Sequence, residues 1–257
     1  GRLQVGVGGT FAQRAVGQDT GLGGAGQGAT VVGDNGFIGG TGTIQGQASV
    51  TNHVMEGTIQ PGDYTGAASG IGKLDVVGNL NASDGTISIQ VSGNSMNDAT
   101  LGGLQAGTGA YDTRVSAQLA NYEASVTGTT GGAAHDFLNI SGQLTLDGTS
   151  QIQVLTEGSY TYVAGDIFDV LDWLSVVGGA FSVGTTTNVG SAQLRNGGSD
   201  GDLVLPTLSG GLAWDVQKLL SNGILIVANN VPEPSRALLL LAGLAGALMR
   251  RRRPAGK

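Results

Sequence analysis

The chain has 257 residues, of which 48 are Gly, and only 12% of its residues are charged and 5% aromatic. Gly does not recur at every third position, which excludes collagen, and a 40% hydrophobic content argues against a disordered chain. The absence of Cys excludes disulfides and thiolate metal sites. In a folded chain, this much Gly is typical of many short strands separated by turns.

Charge is distributed unevenly along the chain. Six of the twelve basic residues, but only one of the nineteen acidic residues, lie in residues 231–257. The first 230 residues therefore carry six positive and eighteen negative charges, and such a surface repels a phosphate backbone, so we expect no nucleic-acid partner. The chain begins at Gly1 without an initiator Met or an apolar export segment. We therefore expect residues 1–230 to be an N-terminally incomplete body, followed by a separate tail.

Short apolar/polar alternations run through the body. Residues 87–91 alternate with a period of two, as do residues 138–140, 144–146 and 152–154, and Gly occupies many of the breaks between such runs. This period places the aliphatic side chains on one face of a sheet. No long window shows the apolar stripe of a helix, and only residues 213–221 suggest one or two helical turns. The pattern predicts an all-β body.

Two stretches of the body resemble each other. Residues 72–80 lead into residues 85–89, and residues 135–146 lead into residues 148–152; in both, a strand ends at Gly and restarts within two residues. Together with Ile59-Gln60-Pro61-Gly62 and the stretches at 166–171 and 178–181, they resemble the passenger region of autotransporter-type proteins over about residues 40–230. The resemblance implies a right-handed parallel β-helix, followed here by a short C-terminal hydrophobic helix. An antiparallel β-sandwich is the alternative.

Polar candidates for a site in the body are sparse. Residues 197–203 resemble half of a calcium-binding β-roll repeat, but a single copy favours an ordinary turn, and a weak calcium site near Asp200 and Asp202 stays open. His53 and His135 are 82 residues apart and have no Cys partners, so no zinc pattern is present. His135 with Asp136 is expected to begin a strand rather than to serve a catalytic triad.

Aromatic residues of the body offer one candidate for sugar binding. Tyr160 and Tyr162 are spaced to share a strand face, either as a packing pair, which we favour, or as a sugar platform. Trp173 and Trp214 are expected to close the C-terminal end of the core. Because carboxylates and basic residues look scattered, we expect no catalytic residue, no cofactor and no metal site, and hence no enzyme.

The tail consists of three parts in a fixed order. The first is the motif Val231, Pro232, Glu233, Pro234 and Ser235. The second is an apolar run that predicts a helix, with Ala237, Leu238, Leu239, Leu240, Leu241, Leu244, Leu248 and Met249. The third is the cluster Arg250, Arg251, Arg252 and Arg253, which stays cytoplasmic by the positive-inside rule. A helix over residues 237–249 is about 20 Å long, shorter than a bilayer core of about 30 Å.

This arrangement resembles the PEP-CTERM sorting signal of Gram-negative bacteria. The resemblance implies recognition by an exosortase-type membrane processing enzyme and transient anchoring through the tail helix. We therefore expect a structural or adhesive protein of the cell envelope, outer surface or extracellular matrix, with extracellular polysaccharide as a further partner. The alternatives are a carbohydrate-active enzyme and a glycan-binding module. An ordinary C-terminal membrane anchor is the other interpretation of the tail.

Overall fold

The computed structural model describes residues 2–5, 10–12, 30–45, 52–62, 70–124 and 134–230. The strands before the first helix are β1 (Arg2–Val5), β2 (Thr10–Ala12), β3 (Val31–Val32), β4 (Phe37–Gly40), β5 (Thr43–Gln45), β6 (Asn52–Met55), β7 (Thr58–Pro61), β8 (Lys73–Val76), β9 (Asn79–Asn81), β10 (Thr86–Val91) and β11 (Met96–Asn97). Helices α1 (Ala99–Gly102) and α2 (Gly109–Ala124) follow.

The second half of the described chain is again mostly strand. Its strands are β12 (Phe137–Thr145), β13 (Gln151–Thr156), β14 (Asp166–Asp169), β15 (Leu171–Val177), β16 (Thr187–Val189), β17 (Ala192–Arg195), β18 (Gly198–Asp200), β19 (Leu203–Leu205), β20 (Leu212–Asp215) and β21 (Ile224–Asn229). Helix α3 (Leu219–Asn222) lies between the last two strands.

The strands form three sheets. Sheet I has the order β1-β4-β7-β10-β13-β19-β18, with parallel pairs except for the antiparallel pair β18–β19. Sheet II has the order β2-β5-β8-β12-β9-β6-β3, with β15 added along β12, and its described pairs are parallel. Sheet III has the order β11-β14-β21-β20-β17-β16 and is antiparallel.

The predicted right-handed parallel β-helix is wrong. The described chain is mostly sheet, but its sheets mix parallel and antiparallel pairing, and three helices interrupt the strands. Period-two alternation indicates which face of a strand is buried, but it does not indicate whether the neighbouring strand runs parallel or antiparallel. Tight Gly turns, such as the one at Gly190 (φ 60°) between β16 and β17, reverse the chain where the prediction has it continue in one direction. The alternative, an antiparallel sandwich, disagrees with the parallel pairs of sheets I and II. The predicted hydrophobic tail helix lies outside the described residues.

Sheet III is buried on both of its faces. Phe168, Trp214 and Leu225 belong to the large core that sheets I and II also line. Ile167 and Ile226, on the opposite face, pack beneath α1 and α2 in a second core. This double burial explains why β21 is apolar at successive positions although its sheet is antiparallel.

Helix α2 contradicts the expectation that the body lacks a long helix. It spans 16 residues, and Tyr111, Val115 and Tyr122 are its buried positions, with Leu119 partly buried between them. These positions are spaced by four, four and three residues, which is the period of one helix face. Thr108 precedes the helix, and its Oγ1 accepts a hydrogen bond from the Tyr111 N–H at 3.3 Å, as an N-cap residue does.

The predicted helical turns at residues 213–221 are only partly present. Residues up to Asp215 belong to β20, and α3 begins at Leu219. Helix α3 ends at Gly223, whose φ of 70° is in the left-handed region. A Cβ at Gly223 would lie 1.7 Å from the Leu171 carbonyl oxygen, so Gly at this position lets α3 lie directly against β15.

Candidate functional site

A cleft of about 430 Å³ opens where the last turn of α2, the end of β14, the start of β15 and α3 meet. We call it the acidic cleft. Its polar and aromatic lining residues are Glu123, Phe137, Asp169, Asp172, Trp173, Ser221 and Asn222. The described residues that line it include no Lys, Arg or His. Its volume is within the range of small-ligand sites.

Asp169 is the most unusual residue of the acidic cleft. It is only 4% exposed, and alternation along β14 places its side chain on the same face as Ile167, which packs beneath α2. Among the described residues, none donates a hydrogen bond to its carboxyl group. Burial, together with the negative charges of Asp172 and Glu123, raises the pKa of Asp169 to about 8. A largely buried carboxyl that has no described donor is costly to ionise, because burial weakens its hydration.

The other buried carboxyls near α2 are satisfied. The Asp98 carboxylate accepts hydrogen bonds from Arg114 Nε at 2.8 Å, the Tyr122 hydroxyl at 2.7 Å and the Leu101 N–H at 3.0 Å. Burial alone would raise the pKa of Asp98, but these bonds lower it to about 2. Asp98 is therefore a structural link that caps α1 and holds α2.

Asp215 forms the second link to α2. Its carboxylate accepts the Tyr111 hydroxyl at 3.0 Å, and it also accepts the N–H groups of Gln193 at 3.2 Å and Gln217 at 3.1 Å. Burial raises the pKa of Asp215, and these three hydrogen bonds oppose the increase. The carboxyl is enclosed by its donors, so it is not available to a ligand.

The remaining polar groups of the acidic cleft come from three elements. Glu123, near the end of α2, accepts a hydrogen bond from Asn222 Nδ2 of α3 at 2.6 Å through Oε1. Asp172 Oδ1 accepts the N–H of Trp173 at 2.8 Å on β15. Trp173 is half-buried, with part of its ring packed on the large core. The cleft thus combines carboxylates, an amide and aromatic rings, which are groups that bind polar ligands with an apolar face.

His135 is close to this region but does not form a catalytic site. Ser95 Oγ donates to His135 Nε2, and His135 Nδ1 donates to the Asp136 carbonyl oxygen at 2.8 Å. Ser95 Oγ also accepts the Asp169 N–H at 3.0 Å. Burial lowers the pKa of His135 to about 4. Ser95 does not line the acidic cleft, so this chain of hydrogen bonds supports the backbone of Asp169.

His53 is also structural. It lies buried in β6, where its Nδ1 accepts the Thr30 N–H at 3.1 Å and its Nε2 donates to the Val77 carbonyl oxygen at 3.1 Å. Both ring nitrogens are therefore occupied by the backbone. Within the described part of the chain, no group of three His, Cys, Asp or Glu residues is arranged to hold a metal ion.

The Tyr pair lies in the segment between β13 and β14, not on a strand as the prediction assumed. Tyr160 and Tyr162 meet edge to face at 4.9 Å, and Tyr162 packs on Trp214 at 5.1 Å. Their hydroxyls are bonded to Asp166 at 2.7 Å and to Thr156 at 2.7 Å. The pair belongs to a packed aromatic cluster around the large core, which agrees with the packing interpretation.

Asp200 and Asp202 flank the turn of the β18–β19 hairpin at Gly201. Asp200 accepts the Thr185 N–H at 2.6 Å, and Asp202 accepts the Ser182 N–H at 2.7 Å. These bonds tie the hairpin to residues 182–185, so both carboxylates serve the turn. Trp173 and Trp214 were expected to close the C-terminal end of the core; Trp214 is fully buried within the large core, and Trp173 is a half-buried residue that also lines the acidic cleft.

The sequence-predicted sorting residues, 231–235, the tail helix, 237–249, and the Arg cluster, 250–253, lie outside the described residues. Within the described ranges, no helix combines the length and apolar character needed to span a membrane. Comparison of the chain with protein-family models, with curated proteins and with solved structures finds no match in any of the three.

Sequence reasoning missed the acidic cleft entirely. Asp166, Asp169 and Asp172 occur at every third residue of an apolar stretch. This spacing places two of the three carboxyls on strand faces that the apolar neighbours predict to be buried. That conflict between charge and burial was the available signal. Glu123 and Asn222 carried no signal, because only the fold brings α2 and α3 beside β15.

Proposed function

We propose that this chain is an envelope or matrix protein that binds a saccharide non-covalently in the acidic cleft. The observation that carries the proposal is that Asp169, whose carboxyl has no donor among the described residues, lines a cleft that Trp173 also lines. Sugar rings offer apolar faces that pack on aromatic rings and hydroxyls that bond to carboxylates and amides. The cleft supplies both kinds of group on neighbouring elements.

The test compares two adjacent substitutions on β15. Trp173→Ala removes a ring that lines the cleft, and Leu174→Ala removes a side chain that is 73% exposed and does not line it. In affinity electrophoresis or calorimetry against a panel of oligosaccharides, Trp173→Ala should weaken binding about two- to tenfold, since aromatic contacts contribute about 0.5–1.5 kcal/mol. Leu174→Ala should bind like the parent chain. Equal binding by all three chains, or binding by none, would refute the proposal.

Trp173 also packs on the core, so its replacement needs a check on folding. Trp173→Phe keeps an aromatic ring and most of the packing, and should recover part of the lost affinity. Near-ultraviolet circular dichroism of each variant shows whether the aromatic packing around Trp214 is intact.

The export part of the proposal rests on the tail sequence. We expect a host with an exosortase-type enzyme to produce a chain shortened near residue 230, and Glu233→Ala with Pro234→Ala to leave it at full length. Intact-mass spectrometry of the exported protein distinguishes the two lengths. Full-length protein from both chains would contradict processing at this motif.

Glycoside hydrolysis is a second candidate, which one observation favours. Asp169 stays protonated near neutral pH beside the carboxylate Asp172, and a protonated acid paired with a carboxylate is the arrangement that glycosidases use. Release of reducing ends that Asp169→Asn abolishes would establish this activity. The prediction that the chain is not an enzyme stays a prediction until that assay is done.

A further inference from the structure

Acidic side chains, and no basic ones, are among the described residues that line the acidic cleft. Glu123 comes from α2 and Asp172 from β15. Asp169 of β14 holds a proton in the free protein near neutral pH and adds a third negative charge when a cationic ligand displaces that proton. Lys73, whose Nζ is 5.8 Å from the centroid of the Phe137 ring, is already paired with Asp75 at 3.0 Å. A cationic group in the cleft would therefore meet uncompensated negative charge.

Helix α2 adds to this field. Its 16 residues end at Ala124, beside the cleft, and its last turn contains no basic residue. The C-terminal end of a helix carries partial negative charge from its aligned peptide dipoles. Glu123 lies in that same last turn, so its charge and the helix end reinforce each other in the cleft.

The cleft also has the groups that accept an ammonium ion. Asp169 is more than nine-tenths buried, lines the cleft and has no hydrogen-bond donor among the described residues, so it is the carboxyl to which we assign the N–H groups of a ligand. Glu123 accepts the Asn222 amide through Oε1, and no described residue donates to its Oε2. Trp173 adds an indole ring, the best aromatic partner for a cation.

We propose that the acidic cleft selects saccharides with a free, protonated amine, and that Asp169 and Glu123 accept the amine while Trp173 packs on the sugar ring. This inference rests on the proposed function and specifies its ligand class. Neutral sugars would have to satisfy a buried carboxyl with hydroxyls alone, whereas the amine brings both hydrogen-bond donors and a compensating charge. Anionic sugars are repelled.

The experiment uses three tetramers of the same linkage and length: chitosan tetramer, chitin tetramer and cellotetraose. They carry an amine, an acetamide and a hydroxyl at the same carbon of each ring. Titration calorimetry should give about tenfold or tighter binding for chitosan tetramer than for cellotetraose, because hydrogen bonds to charged groups are the stronger ones. The preference should shrink at high salt, which screens the charges that remain exposed at the mouth of the cleft.

Variants separate the cleft from the general acidity of the body. Asp169→Asn and Glu123→Gln should each reduce the preference for chitosan tetramer and leave cellotetraose binding nearly unchanged. Asp34→Asn, an exposed substitution far along the chain from the cleft residues, is the matched charge control and should change neither. Retained amine preference in both cleft variants, or an equal loss in Asp34→Asn, would overturn the inference.

Failure of the inference and failure of the proposed function give different results. Equal affinity for the three tetramers, lost in Trp173→Ala, would refute amine selectivity and support saccharide binding in the cleft. No binding of any tetramer, together with none across the broader panel, would refute both.

Discussion

Helix α2 lies over two regions whose buried carboxyls differ in their hydrogen-bond donors. In the interior of its interface, Asp98 and Asp215 accept hydrogen bonds from Arg114, Tyr122 and Tyr111 of the helix. At the end of the helix, Asp169 faces the acidic cleft and no described residue donates to its carboxyl. The same packing of α2 on sheet III thus produces satisfied structural links and one unsatisfied group. Of these three carboxyls, only Asp169 has no donor among the described residues. A ligand in the cleft that donates a hydrogen bond to Asp169 would therefore offset the cost of burying this carboxyl.

The comparison predicts that stability depends most on the interior links. Asp98→Ala removes the acceptor of Arg114 and Tyr122 and the cap of α1, and should lower the free energy of unfolding by about 3 kcal/mol. Urea denaturation followed by far-ultraviolet circular dichroism measures the loss. Asp34→Ala, at an exposed turn, is the control and should change stability by less than about 0.5 kcal/mol. Similar values for the two variants would show that Asp98 is not a link.

The cleft residue should respond in the opposite direction. Asp169→Asn keeps the shape and removes a buried acidic group without a partner, so it should raise the free energy of unfolding by about 1–3 kcal/mol near neutral pH. The same denaturation experiment measures the gain. A clear loss of stability would mean that the carboxyl has a stabilising partner and would remove the contrast between the two regions.

The sign of the effect of pH follows from the raised pKa of Asp169. Between its unfolded pKa near 4 and its folded pKa of about 8, the folded chain holds a proton that the unfolded chain has released. This group's contribution to stability is therefore greatest at low pH and is lost as the pH rises towards 8. The advantage of Asp169→Asn should be small near pH 4 and grow towards pH 8. An advantage that is independent of pH would contradict this cause.

The smallest expected effect is at Asp215. Tyr111→Phe removes one of its three donors but leaves the N–H groups of Gln193 and Gln217, so the free energy of unfolding should fall by about 1 kcal/mol. Thermal or urea denaturation at one pH is sufficient. Val115→Ala, in the same buried stripe of α2, reports the separate cost of lost packing. A loss at Tyr111 as large as that at Asp98 would mean that Asp215 depends on its tyrosine alone.

Much of the strand content could be predicted from the sequence, because it depends on local alternation. The runs at 87–91 and 152–154 are in β10 and β13, where Ile87, Ile89, Ile152 and Val154 are buried. The direction of pairing could not be predicted, since it depends on how distant strands meet. The spacing of Tyr111, Val115 and Tyr122 indicates helix α2, because these residues form an apolar stripe along one face. The Gly residues before the helix and the polar residues on its other faces made this stripe hard to recognise.

The acidic cleft shows the corresponding limit for function. Asp169 lies in the sequence beside Asp172 and Trp173, which also line the cleft, but Glu123 and Asn222 come from more than forty positions away in the chain. The lack of a hydrogen-bond donor is a property of three packed elements and has no local signature. Tyr160 and Tyr162 pack on each other, as the favoured interpretation had it, whereas Trp173, which was expected to cap the core, lines the cleft.

The most direct test of this account is the pKa of Asp169 itself, measured by carbon-13 NMR of the Asp carboxyl groups, with Asp169→Asn used to assign the signal. The account predicts a pKa of about 8 in the free protein, a lower pKa when chitosan tetramer is bound, and little change with cellotetraose. A pKa near the ordinary value for an exposed Asp in the free protein would contradict the claim that the acidic cleft holds an unpartnered carboxyl.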